Sequence, residues 1–527
     1  MKSKEQRPEN PVKTRLVSDS AVESFSDRLS GGLICAMLIF SPWAFGTTQV
    51  WSIWTMNIAG YILGVLFLVK LVARRATHSS SHPNVLATET HSPSGLDAEH
   101  PSQPLEGAAA DPLEASALRL PEMQSPTTSP VKSASTISLA VLTGLILLYC
   151  LVAAWNARST YFYEENRFEY RNHLAWLPHS YDDTRSWRIF WNYLALACSF
   201  WAVRDWLQNE KRAVSPGNPL FSRRWKRLLW VVSINGALLA VEGILQRVDN
   251  TGKLLWLVEP RIIKSAEAQF GPYAYRSNGA QLLNLIWPMT IGLWWALQRS
   301  VGRRTRKRTA HHLLLPAAML MASASILSLS RGGAIISAGS ICASLLVFLA
   351  ANRSRGWKLK TGILSLCLLT IGLGAYVNWG ALSERFATVP TDHLSGRLRI
   401  YQIAERMIHD YPVFGTGPNT FDPVSQLYRE SADEYWAVQV HNDWLETLAT
   451  FGWVGSSFIW LALLIVLFRP VFATEGIRGR WVFAAFLWIA LGGCLIHGIV
   501  DFPFQIYSIL FLFLVLCALL SVITIRK

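Results

Sequence analysis

One histidine lies at the boundary between a polar segment and a long apolar run, in the stretch VQVHNDWLETLATFGWVG. His441 is followed by Asn442 and Asp443, either of which can cap a helix that begins here. Histidine is suited to moving protons near neutral pH, so His441 is a candidate general base or acid. Glu446, five residues later, is a second candidate for this chemistry. The alternative is a structural histidine at a membrane interface, with a solvated glutamate in the first helical turn.

Four arginines are candidates for binding an anion. Arg276 lies in GPYAYRSNGAQ, and Arg331 lies in SLSRGGAI, where two apolar runs almost meet. Arg397 and Arg399 open the segment SGRLRIYQIAERMIHD, whose apolar residues recur at helical spacing and predict an amphipathic helix on the membrane surface. An arginine at a membrane boundary is often a lipid headgroup anchor. Several converging guanidinium groups would instead suit a diphosphate, which they bind through bidentate, charge-assisted hydrogen bonds.

Two further sets of polar residues lie at or inside apolar runs. His497 and Asp501, in LIHGIVDFPFQI, are four residues apart, which predicts one face of a helix that Pro503 ends. They either line a site or form a hydrogen-bonded pair that supports it. Glu242 lies inside an apolar run, where a carboxylate is costly, and Arg247 is its nearest candidate partner.

The composition indicates that the helices which position these residues cross a membrane. Of 527 residues, 51% are hydrophobic and 16% are charged, too few charges to cover a soluble chain of this length. The apolar blocks of about 18–22 residues are long enough to cross a hydrocarbon core of roughly 30 Å. We therefore expect an all-α polytopic membrane protein with about twelve transmembrane helices. The seven cysteines lie inside apolar blocks without metal-ligand spacing, and nucleotide and zinc motifs are missing, so no metal or cofactor is predicted.

Apolar periodicity divides the chain into spans and connections. The predicted spans are 31–48, 51–72, 137–156, 188–206, 228–246, 279–298, 312–330, 333–351, 361–379, 447–468, 481–500 and 505–524. This pattern gives a tail (1–30), a first helix pair (31–72), a linker (73–135), helices three to nine (136–378), a large loop (379–446) and the last three helices (447–527). The linker is rich in Ser, Thr and Pro and has almost no aromatic residues, which predicts disorder.

The placement of charge predicts the orientation of the bundle. The connections after even-numbered helices are basic, so by the positive-inside rule they face the cytoplasm, together with both termini. Most of the net charge of +14 marks this side and gives no support for a nucleic-acid partner. The long connections at 157–187, 247–278 and 380–446 then face outward, as do the candidate histidine and arginines.

Together these motifs resemble the O-antigen ligase and polymerase superfamily of bacterial envelope glycosyltransferases. The resemblance is carried by SRGG (330–333), by SGRLRIYQIAERMIHDYPVFGTGPNTF (395–421), and by His441-Asn442 followed by nine residues and Gly452-x-x-Gly455. It implies an enzyme of the bacterial inner membrane that transfers a glycan from undecaprenyl diphosphate at the periplasmic face. The acceptor is lipid A-core for ligases, a second carrier-linked glycan for polymerases, or a protein hydroxyl for O-oligosaccharyltransferases.

The resemblance also implies roles for individual residues. Arg276, Arg331 and Arg397 would bind the diphosphate and stabilise the leaving group in an inverting, metal-independent transfer. His441 would orient or deprotonate the acceptor hydroxyl, with Glu446 as a helper. Four residues are expected to support them: Asn442, Arg399, His497 and Asp501.

A lipid-glycan transporter is the alternative from another class, since twelve helices with both termini inside would suit it equally. A transporter is expected to carry charged residues or broken helices near the midplane, and repeated halves. Here the notable groups cluster at the outer rim, which favours chemistry at the surface; an assembly scaffold would leave these groups unexplained. The long linker and the aromatic outer loop around Trp176 depart from a plain ligase, so the acceptor stays open.

Overall fold

A computed structural model describes residues 11–80, 130–208, 221–260, 264–300, 310–351, 394–430, 437–472 and 480–523, together with the single residues 372, 380 and 383. Thirteen α-helices and one β-hairpin lie within this part of the chain. Seven of these helices are long and apolar enough to cross a membrane. The prediction of an all-α, multi-pass membrane protein is therefore confirmed.

The helices follow the predicted order. They are α1 (Pro11–Trp43), α2 (Val50–Ser80), α3 (Pro130–Trp155), α4 (Asp183–Gln208), α5 (Arg223–Asp249), α6 (Arg276–Ser300), α7 (Leu314–Leu327), α8 (Arg331–Ala351), α9 (Leu394–Asp410), α10 (Phe421–Ser425), α11 (Asp443–Phe472), α12 (Arg480–His497) and α13 (Tyr507–Val522). Strands β1 (Ser159–Phe162) and β2 (Arg167–Tyr170) pair antiparallel between α3 and α4, with Ser159 opposite Tyr170.

Every predicted span coincides with one of these helices except 361–379, which apart from residue 372 lies outside the described residues. Four of the coinciding helices, α1, α4, α6 and α13, are not among the seven that length and hydropathy identify as membrane-crossing, and α13 is a shorter apolar helix. The number of twelve crossings therefore stays a prediction.

Helix α13 lies at the centre of the bundle. Its residues are buried around its whole circumference, as expected of a helix that is hydrophobic on all sides. It belongs to the main hydrophobic core, together with residues of α1, α2, α4, α5, α6, α7 and α12. The connection that precedes α13 is thereby anchored in the core of the molecule.

An ion-pair network joins four helices at one end of the bundle. The Lys70 ammonium of α2 is fully buried and lies 3.1 Å from an Asp27 carboxylate oxygen of α1 and 2.7 Å from an Asp205 oxygen of α4. Arg224 of α5 lies 2.7 Å from the other Asp27 oxygen. A buried charge is tolerated only when it is paired and hydrogen-bonded, so this network fixes the relative positions of these helix ends. We call it the far end, because His441 lies at the opposite end.

The other end carries a cap built from the hairpin, α9, α10 and the start of α11. Ile403 and Met407 of α9 are buried with Phe421 of α10 and with Val440, which precedes α11. The predicted amphipathic helix is confirmed, but its apolar face packs within the cap rather than against a membrane surface. We call this end the site end.

One local prediction is wrong. His497 and Asp501 do not share a helix, because α12 ends at His497 rather than near Pro503. After Gly498 the backbone continues in tighter turns, with the Val500 N–H donating to the His497 carbonyl at 3.0 Å. The Gly498 carbonyl accepts a hydrogen bond from the Asp443 N–H at 2.8 Å, which draws the turn toward the start of α11.

Candidate functional site

The backbone at His441 is held in a conformation that few residues adopt. Its φ is +58°, in the left-handed region, where a non-glycine residue is uncommon and strained. The next residue, Asn442, caps α11: its side-chain oxygen accepts hydrogen bonds from the N–H groups of Trp444 at 3.0 Å and Leu445 at 3.1 Å. The Tyr401 hydroxyl of α9 donates to the His441 carbonyl at 3.2 Å. These contacts fix where the imidazole emerges.

Glu446 is buried beneath this cap and is only 3% exposed. Its carboxylate accepts a hydrogen bond from the Val440 N–H at 2.9 Å, and its own N–H donates to the Asn442 carbonyl at 2.9 Å. The alternative of a solvated first-turn glutamate is therefore wrong. Glu446 ties the residue before His441 to the first turn of α11.

The imidazole of His441 lies beside a buried carboxylate. Its Nδ1 atom is 3.6 Å from an Asp501 oxygen, a close electrostatic contact that is longer than a hydrogen bond, and 24% of the His441 side chain is exposed. The other Asp501 oxygen accepts a short hydrogen bond from the Ser277 hydroxyl. Burial opposes ionisation of Asp501, but its contacts with His441, His497 and Ser277 outweigh burial and lower the pKa of this carboxyl.

The SRGG turn joins the same network from the other side. The Ser330 hydroxyl donates to the Ser277 hydroxyl at 3.2 Å, and the Ser277 hydroxyl lies 3.3 Å from His497 Nε2. His497 Nε2 is 3.8 Å from Asp501. A Cβ on Gly332 would lie 2.5 Å from His497 Nε2, so only glycine allows the ring this close.

Asp501 itself is placed by contacts on both sides of its loop. The Asp443 carboxylate, at the start of α11, accepts a hydrogen bond from the Phe504 N–H at 2.9 Å. The Arg397 guanidinium, on α9, donates to the Val500 carbonyl at 2.8 Å. The loop before α13 is therefore held between α9 and α11, with Asp501 facing His441.

Two of the predicted arginines act electrostatically on one tyrosine of the site. Burial and the charge of Asp501 raise the pKa of the Tyr275 hydroxyl, while the charges of Arg397 and Arg276 oppose that shift. Arg276 also donates to the Glu267 carbonyl at 2.8 Å. The Tyr275 ring stacks on Phe502 at 5.4 Å, and Phe502 meets the His441 ring edge-on at 4.8 Å, each measured between ring centres. Arg276, Arg397 and His441 are thereby brought to one aromatic-walled region.

The remaining predicted residues have no direct contact with the His441 imidazole among the described contacts. Arg331 begins α8, directly before Gly332, which contacts His497. Arg399 is exposed on α9. Glu242 is not paired with Arg247: its two carboxylate oxygens have no hydrogen-bond partner among the described residues, whereas Arg247 donates to the carbonyls of Ala266, Gln269 and Ser328. The proposed Glu242–Arg247 pair is therefore wrong, because backbone acceptors engage the guanidinium instead.

The glycine motif downstream of His441 has a packing role. Gly452 interrupts α11 with a φ of +58°, and the Trp453 N–H donates to the Pro412 carbonyl at 2.8 Å. The Gly417 N–H donates to the Thr450 carbonyl at 2.9 Å, so the turn that follows α9 is pinned against the break in α11. Gly455 packs against Phe451 and Tyr149. The GTG stretch at 415–417 is thus a chain reversal.

Sequence reasoning did not single out several residues of this network. The missed residues are Tyr275, Ser277, Ser330, Tyr401 and the carboxylate of Asp443. Tyr275 and Ser277 flank Arg276 in the motif YAYRSN, and Ser330 precedes Arg331 in SRGG. The available signal was their place next to a predicted arginine at a helix start. Tyr401 carried no such signal, because only the folded cap brings α9 to His441.

The arrangement suits proton transfer to or from a bound hydroxyl. An imidazole whose Nδ1 faces a carboxylate is oriented with Nε2 available for a substrate. Nearby guanidinium groups stabilise negative charge that develops on a phosphate oxygen. Within the described ranges, no group of three or more His, Cys, Asp and Glu residues is placed to hold a metal ion.

Comparison with family models relates part of the chain to a known family. A family model described as O-Antigen ligase matches residues 316–461. The matched segment includes Arg331, Arg397, His441 and Glu446, whereas Arg276 and Asp501 lie outside it. A search of curated proteins finds no match for the chain.

Proposed function

Residues 316–461 match the O-antigen ligase family, and on that premise we propose that the protein transfers a glycan from undecaprenyl diphosphate to an acceptor hydroxyl of lipid A-core. The observation that carries the proposal is the partly exposed imidazole of His441 beside the buried Asp501 carboxylate. The reaction takes place at the periplasmic face of the inner membrane. It inverts the anomeric centre and needs no metal ion.

His441 handles the proton in this reaction. The acceptor hydroxyl donates to His441 Nε2, while Asp501 holds the imidazole through Nδ1 and stabilises the imidazolium that forms. The acceptor oxygen attacks the anomeric carbon, and the bond between that carbon and the diphosphate oxygen breaks. The hydroxyl proton goes to His441, and undecaprenyl diphosphate leaves with the bonding electron pair.

The arginines act on the leaving group. Arg276 and Arg397 lie close enough to the site to act electrostatically on Tyr275, and Arg331 begins the helix that packs on His497. Their guanidinium groups bind the diphosphate and stabilise the charge that grows on it as the glycosidic bond breaks. Arg399 and Asn442 support this arrangement through α9 and through the cap of α11.

Reconstitution with a defined donor tests the proposal. The purified protein is given an undecaprenyl-diphosphate glycan with lipid A-core, a second carrier-linked glycan, or a protein acceptor, in separate reactions. We expect the lipid A-core product and, for His441→Ala, a rate lower by about 10²–10⁴-fold. Product only with the second glycan or with the protein would identify a polymerase or an O-oligosaccharyltransferase instead.

Two further variants distinguish residues that take part in the transfer reaction from residues that only position others. His409→Ala removes an exposed histidine on α9 that contacts only its neighbour Asp410 among the described residues, and it is expected to keep full activity. Glu446→Gln keeps an oxygen that can accept from the Val440 N–H, so a role in positioning predicts near-normal turnover. Wild-type rates in folded His441→Ala protein, or translocation of the donor without transfer, would overturn the proposal.

A further inference from the structure

Two arginines face one another at the far end of the bundle, between α3, α4 and α11. Arg204 of α4 is only 5% exposed, and its guanidinium donates to the Thr136 hydroxyl of α3 at 2.7 Å. Arg469 of α11 donates to the Ser135 hydroxyl of α3 at 3.0 Å. The two cations act on each other electrostatically. The adjacent hydroxyl groups of Ser135 and Thr136 therefore hold two positively charged guanidinium groups near each other.

No carboxylate of the described chain neutralises this pair. Arg204 interacts electrostatically with Asp205, but both oxygens of the Asp205 carboxylate are already paired. One lies 2.7 Å from the Lys70 ammonium and the other lies 2.6 Å from the Arg74 guanidinium. Two buried donors, Nε of Arg204 and Nη1 of Arg469, have no hydrogen-bond partner among the residues that the structure describes. Burying charged donors without acceptors costs several kcal/mol, so the site is complete only with an anion.

An apolar groove lies along the same three helices, α3, α4 and α11. It has a volume of about 230 Å³ and runs between α3, α4, α11 and α13. Leu139, Phe200 and Val466 line its inner part. Each lies about one helical turn from the arginine pair or its hydroxyl partners, on the same helix faces. A ligand that fills both parts has an anionic head and an apolar tail.

We propose that this site binds one anionic phospholipid, with its phosphate between Arg204 and Arg469 and an acyl chain in the groove. The direction of entry follows from charge. The residues that line the groove in the described part of the chain include no arginine or lysine, and at its other end they include the buried carboxyl group of Asp443, so an anionic headgroup finds no counter-charge there. The lipid therefore belongs to the membrane leaflet at the far end, away from the glycan donor. Bound there, it contacts α3, α4 and α11 at once and stabilises their packing.

Native mass spectrometry of the whole protein tests this site. The detergent-purified protein is incubated with an equimolar mixture of phosphatidylglycerol and phosphatidylcholine, and the retained lipid is identified. Wild type is expected to keep one phosphatidylglycerol. The double variant Arg204→Gln/Arg469→Gln is expected to lose roughly thirtyfold in affinity, since each basic residue near an anionic headgroup contributes about fivefold.

Control variants test whether lipid retention depends on the arginine pair and on the groove. Arg75→Gln removes an exposed charge at the same end of the bundle and is expected to keep the lipid. Leu463→Trp fills the groove, leaves both arginines in place and is expected to lose it. Should the double variant not fold, Arg469→Gln alone tests the headgroup contact. Equal retention of phosphatidylcholine, unchanged binding in the arginine variants, or retention of a polyprenyl diphosphate instead would overturn the proposal.

Discussion

At the scale of single residues, the position of one imidazole is determined by many neighbours that do no chemistry themselves. Asn442 caps the helix, Tyr401 binds the His441 carbonyl, and Glu446 holds the preceding N–H. A left-handed backbone conformation of a non-glycine residue costs about 1–3 kcal/mol and persists only where the surroundings enforce it. This strain at His441 is consistent with a site that places Nδ1 toward Asp501 before any substrate binds.

Asp501→Asn removes the charge beside His441 and keeps the shape of the side chain. We expect kcat to fall by about 10²-fold or more with little change in KM, because Asp501 stabilises the imidazolium rather than the substrate. Combined with His441→Ala it is expected to give almost no further loss, since the two act as one unit. Independent, multiplied losses measured by steady-state kinetics would contradict this coupling.

The Asp501 carboxyl group also predicts how the stability of the folded protein depends on pH. Because the contacts of Asp501 lower its pKa in the folded protein, it is ionised throughout the neutral range. A lowered folded-state pKa contributes stability that is present above the unfolded value, about 3.9, and is lost as the pH falls through the folded value. Thermal melting of wild type and Asp501→Asn is therefore expected to differ at neutral pH and to converge only in strong acid.

At the scale of elements, the sequence predicts where three helices of the site begin, but it predicts poorly which residues the helix ends contact. The starts of α6, α8 and α11 fall beside Arg276, Arg331 and Asn442 because turn and capping residues act locally. The β-hairpin in the outer loop was not predicted, since its pairing depends on packing against the cap. The early end of α12 was also missed, because a backbone contact from Asp443 redirects the chain there.

The close approach of α8 to α12 gives a test at this scale. In Gly332→Ala the added Cβ would lie 2.5 Å from the buried His497 ring, so the ring or the helix must shift. We expect a loss of about 1–3 kcal/mol of stability, as for other overpacked positions, and reduced transfer, because His497 contacts both Ser277 and Asp501. Thermal melting and activity are measured together.

Gly339→Ala is the matched control on the same helix. A Cβ there meets no atom within 4 Å, so the change is expected to be neutral or slightly stabilising, as alanine favours the helix. Equal effects of the two substitutions would show that helix propensity, and not the contact with His497, determines the outcome.

At the scale of the whole molecule, charge is divided between the two ends of the bundle. The far end carries a buried ion-pair network and the arginine pair of α4 and α11, whereas the site end carries few cations around one histidine. The net charge of +14 therefore says little about a ligand by itself. In the predicted orientation the arginines of the basic connections follow the positive-inside rule, while those beside His441 depart from it and lie where we propose that a diphosphate binds.

This division predicts the orientation of the protein in the inner membrane. Trp176, in the outer loop, is 71% exposed at the site end, and Arg75 is exposed near the far end of α2. We expect a membrane-impermeant maleimide to label Trp176→Cys in intact spheroplasts, and Arg75→Cys only after lysis, because basic connections stay in the cytoplasm. Background labelling is expected to be low, since all native cysteines lie inside apolar segments. The reverse pattern would place His441 in the cytoplasm, where the proposed glycan donor and the lipid A-core acceptor on the periplasmic face are out of reach.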